Sequence, residues 1–145
     1  MKILVIILLI FLANCIASAE EKHCTKTEAM EAEMSIDHLN NWEEVYSSYN
    51  RFKHCGDDGA VAEGYSDSVV RLLAFNWNQI EKLMQLSSDK DFFAFVIRHI
   101  DATTGKSEIQ KIITNSNQHC PDSATVICLA IEEAARKALK ELNGY

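Results

Sequence analysis

The sequence predicts an all-α protein, a compact bundle of five to six helices stapled by two disulfides. One proline and five glycines in 145 residues, beside abundant Ala, Leu, Ile, Glu and Lys, leave few helix breakers. Apolar residues recur at spacings of three and four along most of the chain, and no segment alternates as a half-buried strand does. Cys24, Cys55, Cys120 and Cys128 follow a leader-like N-terminus. An even cysteine number in an exported chain reads as a disulfide framework.

That leader spans residues 1–19. Lys2 supplies the positive start, Ile3 to Ala13 the apolar core, and Ala17-Ser18-Ala19 a small-residue cleavage site before Glu20. The apolar core is short for a membrane span. Leu12-Ala13-Asn14-Cys15 partly matches a lipid-attachment box, but Asn14 sits where a small residue belongs, so cleavage after Ala19 is preferred to lipidation at Cys15. The protein is therefore expected in the periplasm or outside the cell, without stable membrane insertion. Residues 20–145 make one domain, of which 20–35 form an N-terminal arm.

The arm, Glu20 to Ser35, is polar and acidic, and reads as an extended piece or short helix tied down by Cys24. From Ile36 to Lys53, Leu39, Trp42, Val45, Tyr49 and Phe52 mark one helix face. The turn Cys55-Gly56-Asp57-Asp58-Gly59 ends it, and Asp57 or Asp58 is positioned to cap the next helix, over 58–75. There Val61, Tyr65, Val69 and Leu72 make an apolar stripe beside a strip of small residues, Ala60, Gly64 and Ser68, shaped for the close approach of another helix. Asn76-Trp77-Asn78 kinks or restarts the chain, with Trp77, Ile80 and Leu83 inward. Ser88 is the candidate cap of the following helix.

The stretch Asp91 to Asp101 is apolar on nearly every side and is the expected central helix, burying Phe92, Val96 and Ile100. Thr103-Thr104-Gly105 breaks it. A further helix carries Ile109, Ile112 and Ile113 to about Gln118. Cys120-Pro121-Asp122 opens the last one, in which Val126, Ile127, Ala130, Ile131, Ala134, Ala138 and Leu142 supply the inward stripe. Cys55 and Cys120 both sit at corners between helices, which favours Cys55–Cys120 with Cys24–Cys128. A local Cys120–Cys128 bridge is the alternative.

No nucleophile elbow, zinc-protease or phosphate-loop motif occurs. His23-Cys24, His54-Cys55 and His119-Cys120 raise a metal site, but the short knuckle spacing of zinc ligands is missing, so no metal or other cofactor is expected. His99 with Asp101 invites acid–base chemistry, yet residues two apart do not share a helix face. His99 instead lies with Phe92 and Val96, as a core histidine satisfied by a hydrogen bond. Asp57, Asp58, Glu63 and Asp67 put four carboxylates within eleven residues, a local negative field suited to steering a basic protein partner. The formal net charge of −7 argues against nucleic acid and anionic membranes.

Asp57-Asp58-Gly59 through Leu73, the later Phe95-Val96-Ile97-Arg98-His99-Ile100-Asp101-Ala102-Thr103 and the closing His119-Cys120-Pro121…Cys128 resemble a family of small exported bacterial proteins of unassigned function. More loosely, in architecture and composition, the chain resembles periplasmic immunity proteins that neutralise cell-wall amidases delivered by type VI secretion. That resemblance implies a helical, disulfide-bearing binding protein, with a homodimer as its common assembly. With no catalytic constellation and a stapled helical body, the leading expectation is an exported non-catalytic binding protein, an immunity protein or inhibitor of a cell-envelope hydrolase, and the acidic cluster, not the resemblance, places its partner contact at Asp57, Asp58, Glu63 and Asp67. The alternatives are a small hydrolase using Asp57, Asp58 or Glu63 with His99, and an envelope assembly factor working through Ala60, Gly64 and Ser68.

Overall fold

The computed structural model describes residues 23–36 and 39–144, and the expected leader, its cleavage site and Cys15 lie outside them. The described residues form seven α-helices and no strand: α1 Lys26–Ile36, α2 Trp42–Phe52, α3 Gly59–Phe75, α4 Ile80–Leu86, α5 Lys90–Arg98, α6 Lys106–Gln118 and α7 Thr125–Leu142. None of these is long and apolar enough to cross a membrane.

The arm is a helix because its first turn is capped from both sides. The Glu28 amide donates to Thr25 Oγ1 at 3.2 Å, while the Thr25 amide donates to Glu28 Oε2 at 3.0 Å. This reciprocal box satisfies donors that a bare helix end leaves open. Helix α2 starts six residues later than the apolar pattern predicts, because Asn41 takes the cap position and accepts from the Glu44 amide at 2.9 Å. The connection before it is held by Arg71, whose Nη2 donates to the Leu39 carbonyl at 2.9 Å. Asp89, not Ser88, caps α5, accepting from the amides of Asp91 and Phe92. Ser88 points back and donates to the Gln85 carbonyl.

Phe92, Val96 and Ile100 are buried as the sequence predicts, in one core with Trp42, Tyr65, Leu72, Ile112 and Ile131. An edge-on Tyr46–Phe92 contact at 4.8 Å and a Tyr65–Phe95 contact at 4.9 Å join α5 to α2 and α3. Contrary to expectation, α5 is not buried all round, since Asp91, Ala94 and Arg98 form an exposed flank. The buried Asn115 amide donates to the Leu73 and Ala74 carbonyls at 2.9 and 3.1 Å, closing carbonyls near the end of α3.

The disulfides are Cys24–Cys55 and Cys120–Cys128, with Cα separations of 4.6 and 6.1 Å. The preferred corner-to-corner pairing is wrong. Both Cys55 and Cys120 do lie at corners, but α1 lies against α2 and α3 and brings Cys24 to the turn after α2. The chain between α6 and α7 meanwhile folds back through a short 3-10 turn, Asp122–Ala124, so that Cys120 meets Cys128 locally. This bridge fixes the rotation of α7. Cys128, Ile131, Ala135 and Ala138 face inward, and Val126, predicted inside, is 78% exposed.

The small-residue strip on α3 does receive another helix, but it is the protein's own α1. A Cβ built on Gly64 would lie 2.1 Å from Ile36 Cγ2. The glycine is therefore kept for contact, offsetting the roughly 1 kcal/mol that Gly loses to Ala in a helix interior. In wild type, Gly64→Ala is expected to destabilise, because overpacking costs about 1–3 kcal/mol and exceeds the propensity gain. In an Ile36→Ala background, which removes Cγ2 and leaves only the Cβ contact at 3.2 Å, the same change should cost less. Urea denaturation of the four proteins in the cycle reads the difference. Phe92, with no exposed surface, provides a second check, since Phe92→Ala should cost about 3–5 kcal/mol.

Candidate functional site

A groove of about 390 Å³ runs between the C-terminal end of α2 and the exposed flank of α5. Tyr49, Phe52, Tyr65 and Phe95 give it an aromatic floor, with Lys53, Asp91, Ala94 and Arg98 along its rim and Gly56 and Asp57 at its end. The aromatic floor follows from the helical spacing of two elements. Tyr49 and Phe52 are the last inward residues of α2, and Phe95 lies one turn beyond Asp91 on α5. All four rings are buried, Tyr49 at 8% exposure and Phe52, Tyr65 and Phe95 at 2%, so they back the groove and only their edges meet it. Lys53 Nζ lies 5.3 Å from the Tyr49 ring centre and the Arg98 guanidinium carbon 5.9 Å from that of Phe95, close enough for cation–π attraction.

The end wall is the turn that the sequence assigns to helix capping. Gly56 adopts φ +77°, a left-handed conformation that costs a glycine little, and the chain after it turns Asp57 inward. Asp58 holds the cap position of α3 but makes no side-chain capping bond. Asp57 is drawn off the cap entirely. Its Oδ2 receives Arg98 Nη2 at 3.0 Å and faces His99 Nε2 at 3.3 Å. The Arg98 pair is largely exposed and contributes about 0–1 kcal/mol, no more than the dipole of a helix start, so the preference rests on the buried His99 nitrogen that Asp57 faces.

Behind Asp57 the network continues inward. His99 Nδ1 lies 3.0 Å from Ser66 Oγ, and Ser66 donates to Asp101 Oδ2 at 2.8 Å. Asp101 Oδ1 accepts from the Thr103 amide at 2.8 Å. Tyr65 shares a 2.8 Å hydroxyl–hydroxyl bond with Ser48 beside it. His99 is thus the hydrogen-bonded core histidine the sequence predicts, only 4% exposed. The two-residue step to Asp101, which a continuous helix would forbid, is bridged by Ser66 because α5 ends at Arg98.

The hydrogens in this chain are one short. Between two ionised carboxylates, the imidazole and the hydroxyl make three contacts, which require three hydrogens. Ser66 supplies one, a neutral imidazole one more, and only an imidazolium completes the set. Burial nevertheless pushes the His99 pKa down from its ordinary 6.5, against the opposing pull of Asp57. For Asp101 burial acts upward, but hydrogen bonds from Thr103 and Ser66 outweigh it and hold the carboxyl below its ordinary value. The folded protein therefore keeps His99 neutral and Asp101 charged at neutral pH.

Acid, imidazole and hydroxyl in this order resemble the outline of a hydrolase triad, but the arrangement does different work. Ser66 is 2% exposed in the middle of α3, and its proton is given to Asp101 rather than to the imidazole. No substrate atom can reach it. The network instead ties the turn, α3 and the segment after α5 together.

Of the four predicted contact acids, only Asp57 enters the groove. Asp58 and Glu63 are exposed on and before α3, and Asp67 pairs with Arg71 at 3.8 Å on another flank, near Phe75 and Thr103. Lys53, Ala94 and Arg98 were missed because the rings beside them read as ordinary core positions. A usable signal was present, since Arg98-His99 is the one polar pair inside the apolar run Phe92 to Ile100. Two of the three His-Cys pairs, His23-Cys24 and His54-Cys55, meet at the Cys24–Cys55 disulfide, while Cys120 of the third is bridged to Cys128. Glu28, His54 and Cys55 do come within 4.8 Å of one another, with the Cys55 sulfur bonded to Cys24. No family model matches this chain, and neither does any curated protein or solved structure.

Because the folded state resists protonating His99, the unfolded chain takes up a proton first as pH falls below 6.5. Stability from this group is thus fully present above that value and is lost on acidification, until His99 protonates in the folded state. Chemical denaturation at several pH values should show this slope in wild type and a shallower one in His99→Gln. Ser66→Ala strands a buried nitrogen and a carboxylate oxygen, and should cost about 1–3 kcal/mol at neutral pH.

Proposed function

We propose that this protein is an exported, non-catalytic binding protein that holds a protein partner in the groove between α2 and α5. In this reading it serves as an inhibitor or immunity factor for a cell-envelope hydrolase. The observation that carries the proposal is the groove itself, an aromatic floor with Arg98 at its rim. Tyr, Trp and Arg dominate the energetic centres of protein interfaces. Two disulfides favour an oxidising compartment outside the cytoplasm. The end wall is held by the Asp57 ion pair and, beside it, by the Cys24–Cys55 bridge, so little ordering cost remains at binding.

This places the contact surface differently from an acidic face on α3. Asp57 contributes as part of the groove wall, while Asp58, Glu63 and Asp67 add long-range attraction for a basic partner and affect mainly the association rate. The assembly reading through Ala60, Gly64 and Ser68 loses its support, since Ile36 already covers Gly64.

Ala94 is exposed on the rim, so Ala94→Arg obstructs the groove without opening the core. A hydrolase captured by the wild-type protein and inhibited by it should bind Ala94→Arg at least tenfold more weakly, a loss of ~1.4 kcal/mol. Neutralising Glu63 and Asp67 should lower the association rate at low salt and leave dissociation unchanged. Unchanged binding by Ala94→Arg, with dissociation accelerated by the Glu63 and Asp67 changes, would move the interface to α3.

A further inference from the structure

We propose that the Cys24–Cys55 corner is a redox-gated zinc site. Once a dithiol reductant opens that disulfide, Cys24, Cys55, His54 and Glu28 ligate one Zn²⁺. It uses none of the residues that line the groove, although Cys55 adjoins the end wall at Gly56 and Asp57.

Three of the four donors are already near coordination spacing. His54 Nε2 lies 3.3 Å from Glu28 Oε1 and 3.8 Å from Cys55 Sγ, and the three donor atoms fall within 4.8 Å of one another. A tetrahedral zinc with bonds near 2.0 Å to N and O and 2.3 Å to S has edges of about 3.3 Å between N and O and about 3.5 Å between S and N. The fourth donor starts at the same corner, because Cys24 Sγ is bonded to Cys55 Sγ. Two thiolates, an imidazole and a carboxylate are all established zinc ligands.

The surroundings support the ligands. Glu28 Oε2 accepts from the Thr25 amide at 3.0 Å and the Thr25 hydroxyl at 2.9 Å, which turns Oε1 toward His54. Hydrogen bonds of this kind orient metal-bound carboxylates. The side chains of His54 and Glu28 keep 14% and 25% of their exposure, so an ion can enter. Helix α1 is also docked by Ala32 and by Ile36 against Gly64, which hold its C-terminal half in place when the covalent bond opens, and zinc would then hold its first turn.

The chemistry balances simply. Reduction delivers two electrons and two protons to the disulfide, giving two thiols, while the dithiol becomes its own disulfide. Zinc then displaces both thiol protons, which leave to solvent. One clamp on α1 is exchanged for another.

The test uses the full chain, both wild type and Cys120→Ser/Cys128→Ser, in which only this cysteine pair remains. Zinc binding is measured by competition with a chromogenic chelator before and after reduction. Co²⁺ serves as a spectroscopic probe, and circular dichroism follows the fold. The expected result is one tightly held zinc per reduced chain, two protons released, tetrahedral thiolate bands with Co²⁺, and no zinc held by the oxidised chain. Cys24→Ser and His54→Gln should each weaken binding at least tenfold, while His119→Gln leaves it unchanged. Should Cys120→Ser/Cys128→Ser fail to fold, reduced wild type against reduced Cys24→Ser decides the same question. The proposal is overturned if reduced protein holds no stoichiometric zinc, or if Cys24→Ser or His54→Gln bind as wild type does. It also fails if reduction abolishes helicity that zinc does not restore, or if the oxidised chain binds zinc equally.

Discussion

Asp57 cannot serve both the helix it precedes and the histidine it faces, and the end wall of the groove depends on which it serves. By leaving the α3 cap for His99 and Arg98, it draws the glycine-flanked turn against the end of α5. A buried imidazole with one donor or acceptor unmatched is costly in a low-dielectric interior, more so than an exposed helix start left to water. The network then fixes Arg98 at the rim, and the Phe95 ring stays as floor beneath it.

Helix α1 rests on a different balance. Its own sequence is polar, and only Ala32 and Ile36 are fully buried. The exposed Glu31–Arg51 pair adds little, since surface ion pairs contribute a median of about 0–1 kcal/mol. Two features compensate. Gly64 lets Ile36 seat against the α3 backbone, and the Cys24–Cys55 bridge closes a separation of 31 residues. Closing a longer loop removes more unfolded-state entropy than the eight-residue closure at Cys120–Cys128 does. The covalent clamp thus sits where non-covalent packing is thinnest. A zinc clamp formed from the same residues would act at the same weak point.

The groove and the hydrogen-bond network give the molecule a rigid wall and a pH-dependent interior. His99 lies one residue from Arg98 and shares the Asp57 oxygen with it, so acidification acts on the wall from behind. A surface built this way is ordered in advance, which in the proposed binding role favours slow dissociation over wide adaptability.

By itself the sequence determined the helical class, the inward faces of α2, α3 and α6, the buried triplet Phe92, Val96 and Ile100, and the buried state of His99. These follow from local periodicity and side-chain size, which act within a few turns. Tertiary structure alone decided what depends on distant approach. Cys24 finds Cys55 because α1 docks on Gly64; Asp57 meets His99 because α5 stops at Arg98; and Val126 faces outward because the Cys120–Cys128 bridge sets the rotation of α7. The same side chains fit either outcome locally. A capping aspartate and an ion-paired aspartate look alike in sequence, since the donor that separates them stands 41 or more residues away.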